Sequence, residues 1–478
     1  MSGFHFSSDK AQLLERFGER HKWLVLIVVA LGTVAAVLST TSFNVAIPAL
    51  VARFGLGQER VQWAITGFMG AMTLAMLPTP WLLDRFGFRR CFLLAIGVLA
   101  AASIAGSLAD SFPLVVAARI VQGAAAGLLQ PLGTVVVMRL FPAASQGRAS
   151  GMLGFGIVLA PAVAPALGGM LLDHFGWSAI FLINLPFCLI AGLAGFVLLP
   201  AAGAPKHGVF DWFGVGLLSL ATVSTVEGVA SLHHSGLADW GTDLLLALAV
   251  LAFGLFLWHA RRAANPIVHL ALFRDRPFAM GVLVSFIYGF GLYASTYLIP
   301  VFLQNVLALS ATRAGFALLP AGFALAIFIT IGGRLADKYS PQWITIGGLL
   351  LFGFSFLLLA LAGGGVAYGE LVGVTVLGRI GLALILPSLS LAALRGLEIH
   401  QLGQSSMVIS YVRQLGGVLG IAMSAVFIEW RQAVHGASGD AAARAFAESF
   451  WMVALVFVVA LLAACRMKRP PPAADAHA

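Results

Sequence analysis

The chain is predicted to be an all-α membrane protein with fourteen transmembrane helices, on three observations. Fourteen apolar stretches are each long enough to cross a bilayer. Hydrophobic residues make up 60% of the 478 residues and charged residues only 10%, and the positive charges alternate with the apolar stretches. Soluble chains carry about 45–50% apolar and about 25% charged residues. A helix needs about 20 residues to cross about 30 Å of hydrocarbon, and only helices or closed barrels satisfy their backbone there. The stretches are continuous rather than alternating with period two, which selects helices.

In order, the stretches are 24–44, 61–83, 91–109, 114–138, 150–171, 179–199, 212–232, 244–260, 278–303, 315–335, 343–362, 370–391, 403–428 and 450–466. The first ends in an unusually polar run, Ser39, Thr40, Ser42 and Asn44; such residues line a cavity or bond across helices, and a cavity is expected. The second ends in Asp84 and Arg85, and the fourth contains Arg119 and Gln122. The fifth is rich in glycine and proline, including Pro161, Pro165 and Gly168, which allow close packing and bending. Glu227, in the seventh, is the only carboxylate well inside a span, placed toward the outer surface. In the ninth, Phe286, Phe290, Tyr293 and Tyr297 share one helical face, Tyr288 lies on the same helix, and Gln304 sits at its outer end. The tenth ends in Asp337, and the twelfth and thirteenth carry Arg379 and Arg413 near mid-depth. A centred arginine costs about 2.5–3.5 kcal/mol on insertion scales, so such residues face a polar cavity or pair with carbonyls.

The net charge of +9 is explained by orientation rather than by nucleic acid. With a cytoplasmic N-terminus, 20 of the 28 Lys and Arg residues fall in inner segments, 5 in outer segments and 3 within spans. That is the positive-inside pattern, and an even span count puts both termini in the cytoplasm. Cys91, Cys188 and Cys465 have no paired spacing, so neither a disulfide nor a metal site is read from them. Residues 9–17 suit either a short amphipathic surface helix or a disordered tail, and 470–478 is a Pro/Ala-rich tail.

Two segments repeat. Pro80-Trp-Leu-Leu-Asp84-Arg85 closes the second span and Gly333-Arg334-Leu-Ala-Asp337-Lys338 the tenth, while Arg119 in the fourth is matched by Arg379 in the twelfth. Each pair is offset by eight spans, as expected if two six-helix halves, 23–200 and 277–467, are separated by a linker, 201–276, holding two extra helices, with cytoplasmic ends 1–22 and 468–478. Parallel repeats with a site at their interface are a transporter architecture. A carboxylate at the position of Asp84 or Asp337 can accept N–H bonds from the start of a neighbouring helix and interact with its positive end.

These strings resemble the major facilitator superfamily, and within it the fourteen-helix drug:proton antiporter (multidrug efflux) branch. The segment around Asp84 is similar to the superfamily's cytoplasmic loop motif, with Pro80 where glycine is usual. Arg119-Ile-Val-Gln122-Gly123 is similar to its fourth-helix motif, and the run from Gly154 to Gly169 resembles the antiporter motif of the fifth helix. Phe181-Leu-Ile-Asn184-Leu-Pro186 and Arg413-Gln414-Leu-Gly416-Gly417 are further branch-like strings. The resemblance implies a major-facilitator fold, a closing latch at Asp84, a coupling role for Arg119 and protons as partners. It also implies a bacterial inner-membrane location, with an adaptor protein in some relatives. One departure concerns Ser39, where many branch members carry an acid tied to proton coupling; serine cannot take that role.

The expected function is secondary active export of small amphiphilic or drug-like compounds by alternating access. The alternative is an exporter or facilitator of one endogenous metabolite without proton coupling. Transport/coupling residues are expected among Arg119, Gln122, Arg379, Arg413 and Glu227, and gating at Asp84, Arg85, Asp337, Pro161, Pro165 and Gly168. The cavity is expected at Ser39, Thr40, Asn44, Tyr288, Tyr293, Tyr297 and Gln304. Cations without carboxylates at mid-depth favour anionic or neutral amphiphiles. No phosphate-binding loop, nucleophile–base pair or metal cluster is present in the sequence, so neither an ATP-driven pump nor an enzyme is expected, and no cofactor.

Overall fold

A computed structural model describes residues 17–200, 209–235, 240–309, 311–365, 367–436 and 440–467. The 9–17 and 470–478 expectations lie wholly or almost wholly outside these residues. Among the described residues the chain is helical and contains no strand. Twelve helices among the described residues are long and apolar enough to cross a membrane.

Helix α1, His21–Thr41, runs on through a 3-10 turn, Ser42–Ala46, into α2, Ile47–Phe54, which stops at Gly55 in the left-handed region. The predicted second span is not one helix. It divides into α3, Gln58–Ala75, and α4, Thr79–Phe86, across 76–78. Pro78 and Pro80 explain the break, because neither supplies a backbone N–H and each ring clashes with the preceding turn. Gly87, at φ 78°, then turns the chain sharply into α5, Phe88–Ser107, a conformation that disfavours side chains. Helices α6, Phe112–Leu140, α7, Gln146–Phe175, and α8, Leu185–Leu198, follow.

The pair α9, Trp212–Ser235, and α10, Trp240–Arg262, pack against each other, and α9 also packs on α15, Leu402–His435. A buried hydrogen bond between the Thr222 and Tyr411 hydroxyls fastens that contact. Asp211 anchors the base of the pair. Its carboxylate accepts the Gly214 N–H at 2.8 Å, the Ile267 N–H at 3.0 Å and a bond from His259 Nε2 at 2.7 Å. Burial alone would raise this carboxyl, but those bonds outweigh burial and hold it below the usual carboxylate range. The remaining helices are α11, Arg276–Asn305, α12, Ala311–Lys338, α13, Pro341–Ala362, α14, Tyr368–Leu394, and α16, Ala441–Cys465.

Small residues set the helix crossings. A Cβ on Gly123 or Gly127 of α6 would overlap the carbonyl oxygens of Phe68 or Met72 on α3. One on Gly289 of α11 would overlap the carbonyl of Arg413 on α15, and Gly416 and Gly420 repeat the arrangement against Phe286 and Phe290. Helices α7 and α12 cross the same way, Gly147 and Gly151 against Gly333. With lipid as apolar as leucine, such close approach is what holds membrane helices together.

Gly123→Ala should force α3 and α6 apart and lower stability by about 1–3 kcal/mol, read as a lower thermal midpoint in detergent. Gly70→Ala on α3 meets open space and should leave the midpoint level or raise it, since alanine is the better helix former. Equal midpoints for the two variants would contradict the close crossing.

Candidate functional site

Three arrangements of polar groups stand out. The first surrounds Arg119, which is 1% exposed on α6. Its Nε donates to the Ala64 carbonyl on α3 at 3.2 Å, and its Nη1 donates to the Ser39 carbonyl on α1 at 2.8 Å and to Gln122 Oε1 at 3.0 Å. Gln122 Nε2 donates to Ser103 Oγ at 2.7 Å, and Asn184, at the head of α8, donates to the Ser39 hydroxyl. The guanidinium carbon lies 4.2 Å from the Phe43 ring centre and 4.1 Å from that of Phe68. Carbonyl dipoles and two π faces therefore support this cation without a carboxylate. Arg119 Nη2 and Asn184 Oδ1 are buried without a hydrogen-bond partner.

Ser39, Gln122 and Arg119 are thus brought together, but not around open space. Ser39 is 4% exposed with its hydroxyl engaged, so in this structure it makes a cross-helix bond, the other role open to such a residue. Asn184, Ser103, Phe43 and Phe68 were not assigned to a site by sequence reading. Asn184 carried a signal, a polar residue before Pro186 at a helix start; the carbonyl partners carried none.

The second arrangement lies at the end of the bundle that carries Arg85, Arg139, Arg148 and Arg395, termed the basic end. Asp337, near the end of α12, caps α7. Its Oδ1 accepts the Gly147 N–H at 2.6 Å and its Oδ2 the Arg148 N–H at 2.7 Å. These are first-turn donors with no partner inside their own helix, next to the positive end of its dipole. Arg395 Nη2 stands 3.6 Å from Asp337 Oδ1 and donates to the Ala143 carbonyl at 2.7 Å, while its Nε reaches Gln146 Oε1 at 3.2 Å. Burial holds the Arg395 guanidinium below the usual arginine range, opposed by the Asp337 charge. The glycine crossing of α7 and α12 makes the capping distances reachable.

Asp84 differs. It is exposed at the end of α4, interacts electrostatically with Arg139, and accepts no hydrogen bond among the described residues. It borders a cavity of about 590 Å³ at the basic end with Pro80, Arg139, Asp211, His269 and Gln404. The repeated motif thus has one carboxylate seated on a helix start and one free of it. Arg85 beside it is exposed.

The third arrangement gathers Arg379 of α14, Arg413 of α15, and Tyr288 and Tyr293 of α11. Tyr288 interacts electrostatically with both arginines and Tyr293 with Arg413. Tyr293 also donates to Gln414 Oε1 at 3.4 Å. Tyr297, farther along α11, faces Glu429 instead.

The other expected residues lie apart. Thr40 bonds back to the Ala36 carbonyl of its own helix, and exposed Gln304 to the Pro300 carbonyl of its own, so neither joins these groups. Glu227 is half-buried on α9. Pro161 is exposed and Gly168 buried on α7, while the side chains of Asn44 and Pro165 lie outside what the structure describes.

Asp337→Ala should speed amide exchange at Gly147 and Arg148 by about 2- to 30-fold, the loss of a capping interaction of about 0.5–2 kcal/mol. Asp84→Ala should leave both amides unchanged. Unchanged exchange in Asp337→Ala would contradict the capping geometry.

Comparison with known proteins bears on the family and the fold. The chain is 30% identical over 412 residues to a multidrug resistance protein B homolog of Mycobacterium tuberculosis, covering 84% of this chain and 76% of that one. It is 32% identical over 332 residues to the tetracenomycin C resistance and export protein of Streptomyces glaucescens, covering 69% of this chain and 61% of that one. Among solved structures, the proton:xylose symporter of the same superfamily superposes with a TM-score of 0.66 at 14% identity, over 92% of this chain and 94% of that one. Residues 29–421 match the family model of the Major Facilitator Superfamily, and the chain belongs to that superfamily, as an integral membrane transporter and not an enzyme.

Proposed function

We propose that the protein is a secondary active exporter of small amphiphilic or drug-like compounds, working by alternating access between two six-helix bundles, 23–200 and 277–467. In this reading fourteen helices span the bacterial inner membrane with both termini in the cytoplasm, and the basic end is the cytoplasmic end. Helix α7, at 30 residues, is about 45 Å long, and α3 with α4 is continued across a proline break. Both lengths support adding these two segments to the twelve helices. The α9–α10 pair is the extra hairpin. Export is supported by relatives whose names denote drug resistance and export.

The observation that carries the reading is the seat of Asp337 on α7. It joins the helix that precedes the hairpin to one that follows it, through two hydrogen bonds from backbone N–H groups to one carboxylate at a glycine-lined crossing. Two such bonds can close one face and still be broken in each cycle. Arg119 ties α1, α3 and α6 into one unit that can tilt as a body. Asp84 and its cavity form the second half of the gate.

Energy from proton antiport rests on family resemblance, and the chemistry of Ser39 favours a second reading. A hydroxyl engaged by Asn184 has no charge to gain or lose near neutral pH. An uncoupled exporter or facilitator of one endogenous metabolite is therefore the competing function. Either version accommodates an adaptor protein on the outer side.

Purified protein in liposomes, screened with amphiphilic compounds under an imposed pH gradient, separates the readings. Export driven by inward proton flow, and slowed at least about tenfold by Arg119→Ala, is expected for the antiporter; that factor corresponds to about 1.4 kcal/mol. Transport indifferent to the gradient would replace antiport by facilitation, and no transport of any compound would remove the exporter reading.

A further inference from the structure

Three arginines lie within the helices at membrane depth, and the structure treats them differently. Arg119 is packed shut against carbonyls and aromatic rings. Arg379 and Arg413 are not. Both are surrounded by protein, yet each keeps part of its surface accessible. That combination describes side chains lining an internal space rather than a filled core or a lipid-facing surface. Among the described residues neither has a hydrogen-bond or ion-pair partner.

Among the described residues no carboxylate acts on them. Along their own helices the nearest are Glu370, nine residues from Arg379, and Glu429, sixteen residues from Arg413, or about 14 Å and about 24 Å away. Glu227 is on α9, which touches α15 at Tyr411. Tyr411 is two residues from Arg413, about 200° around the helix, so α9 packs on the opposite side of α15. The groups that do face Arg413 are the two tyrosines, and Tyr288 also faces Arg379. Two further buried polar groups on these helices lack a partner among the described residues. Gln414 is 7% exposed and its Nε2 is buried without a partner, while its Oε1 accepts from Tyr293. Ser285, one turn before Tyr288 on α11, also has a buried, unpartnered hydroxyl. Buried cations with spare donors in a low-dielectric setting are costly unless negative charge is brought to them.

We infer that Arg379 and Arg413 form a cradle for the anionic head of the transported compound, a carboxylate, sulfonate or phosphonate. Tyr288, Tyr293 and Gln414 supply further hydrogen bonds, and Phe286 and Phe290 flank its apolar body on α11. This inference rests on the exporter reading and narrows it to amphiphilic organic acids. Arginine suits the role because its planar fork matches a two-oxygen anion. The crossing at Gly289 brings α11 against α15 at Arg413 itself, so the tyrosines and the cation share one pocket wall.

The test uses full-length protein in phosphatidylcholine nanodiscs, with equilibrium binding of three probes that share one ring system: naphthalene-1-sulfonate, naphthalene-1-carboxamide and 1-naphthylmethylammonium. The sulfonate should bind at least about tenfold more tightly than the amide, as for hydrogen bonds to a charged group, and the ammonium most weakly. The preference should fall to within about threefold in Arg413→Gln and Arg379→Gln and be partly kept in Arg413→Lys. The comparison of probes on the unaltered protein needs no variant, so a misfolded variant leaves it intact. Equal binding of the three probes overturns the inference. So does loss of the sulfonate preference when chloride replaces gluconate in the buffer, which would identify a resident inorganic ion. In the liposome assay run on the same probes, vectorial transport of the ammonium probe without sulfonate binding in nanodiscs would sink the anionic cradle and leave the exporter standing. Selective sulfonate binding without transport of any probe would do the reverse.

Discussion

Inside hydrocarbon an ionised side chain has no water to turn to, and this single constraint organises the polar architecture of the chain. Arg119 meets it with two carbonyls from neighbouring helices and two aromatic rings. The Ala64 carbonyl is within reach because α3 and α6 approach through Gly123 and Gly127, so the packing of glycines and the solvation of the cation are linked. Moving α1 or α3 away would strip the guanidinium of its donors' partners. The charge thereby acts as a clamp on three helices, without any acid in the site.

At the basic end the same physics runs in the opposite sense. A carboxylate, Asp337, is held by the unused N–H groups of a helix start, and Arg395 stands beside it. Its sequence counterpart Asp84 has no such seat. The two copies of one motif are therefore engaged differently within one structure, one seated on a helix start and one beside a cavity of about 590 Å³.

Much of this fold was legible in the chain because lipid leaves few options. Each predicted stretch overlaps helical structure, but the second is broken at 76–78, where Pro78 and Pro80 are plain in the sequence, and the first and sixth run across 3-10 segments. The site was legible in part. Arg119, Arg379, Arg413 and Asp337 announced themselves as charges where charges are expensive. Their partners did not: the Ser39 and Ala64 carbonyls belong to backbone that looks identical at every residue, and only the crossing angle selects them. Ser39 was read as cavity-lining because a small hydroxyl suits both a cavity and a cross-helix bond. The difference between Asp84 and Asp337 was likewise invisible, since nearly the same short string precedes both and only tertiary position separates them.

The meeting of Gly147, Gly151 and Gly333 has a mechanical consequence. Most helix pairs interlock as ridges in grooves, and rolling one over the other means forcing side chains out of their rotamers. Where backbone rests on backbone there are no teeth to disengage. Around Gly147, Gly151 and Gly333 the two helices have few such teeth, although Ile329 of α12 still packs on Gly154 of α7, so a few degrees of roll there chiefly change the reach from Asp337 to the start of α7. Sliding and holding thus fall to different groups: glycine lowers the resistance to roll, and Asp337, with Arg395 bonded to Gln146 and the Ala143 carbonyl beside it, fastens the joint.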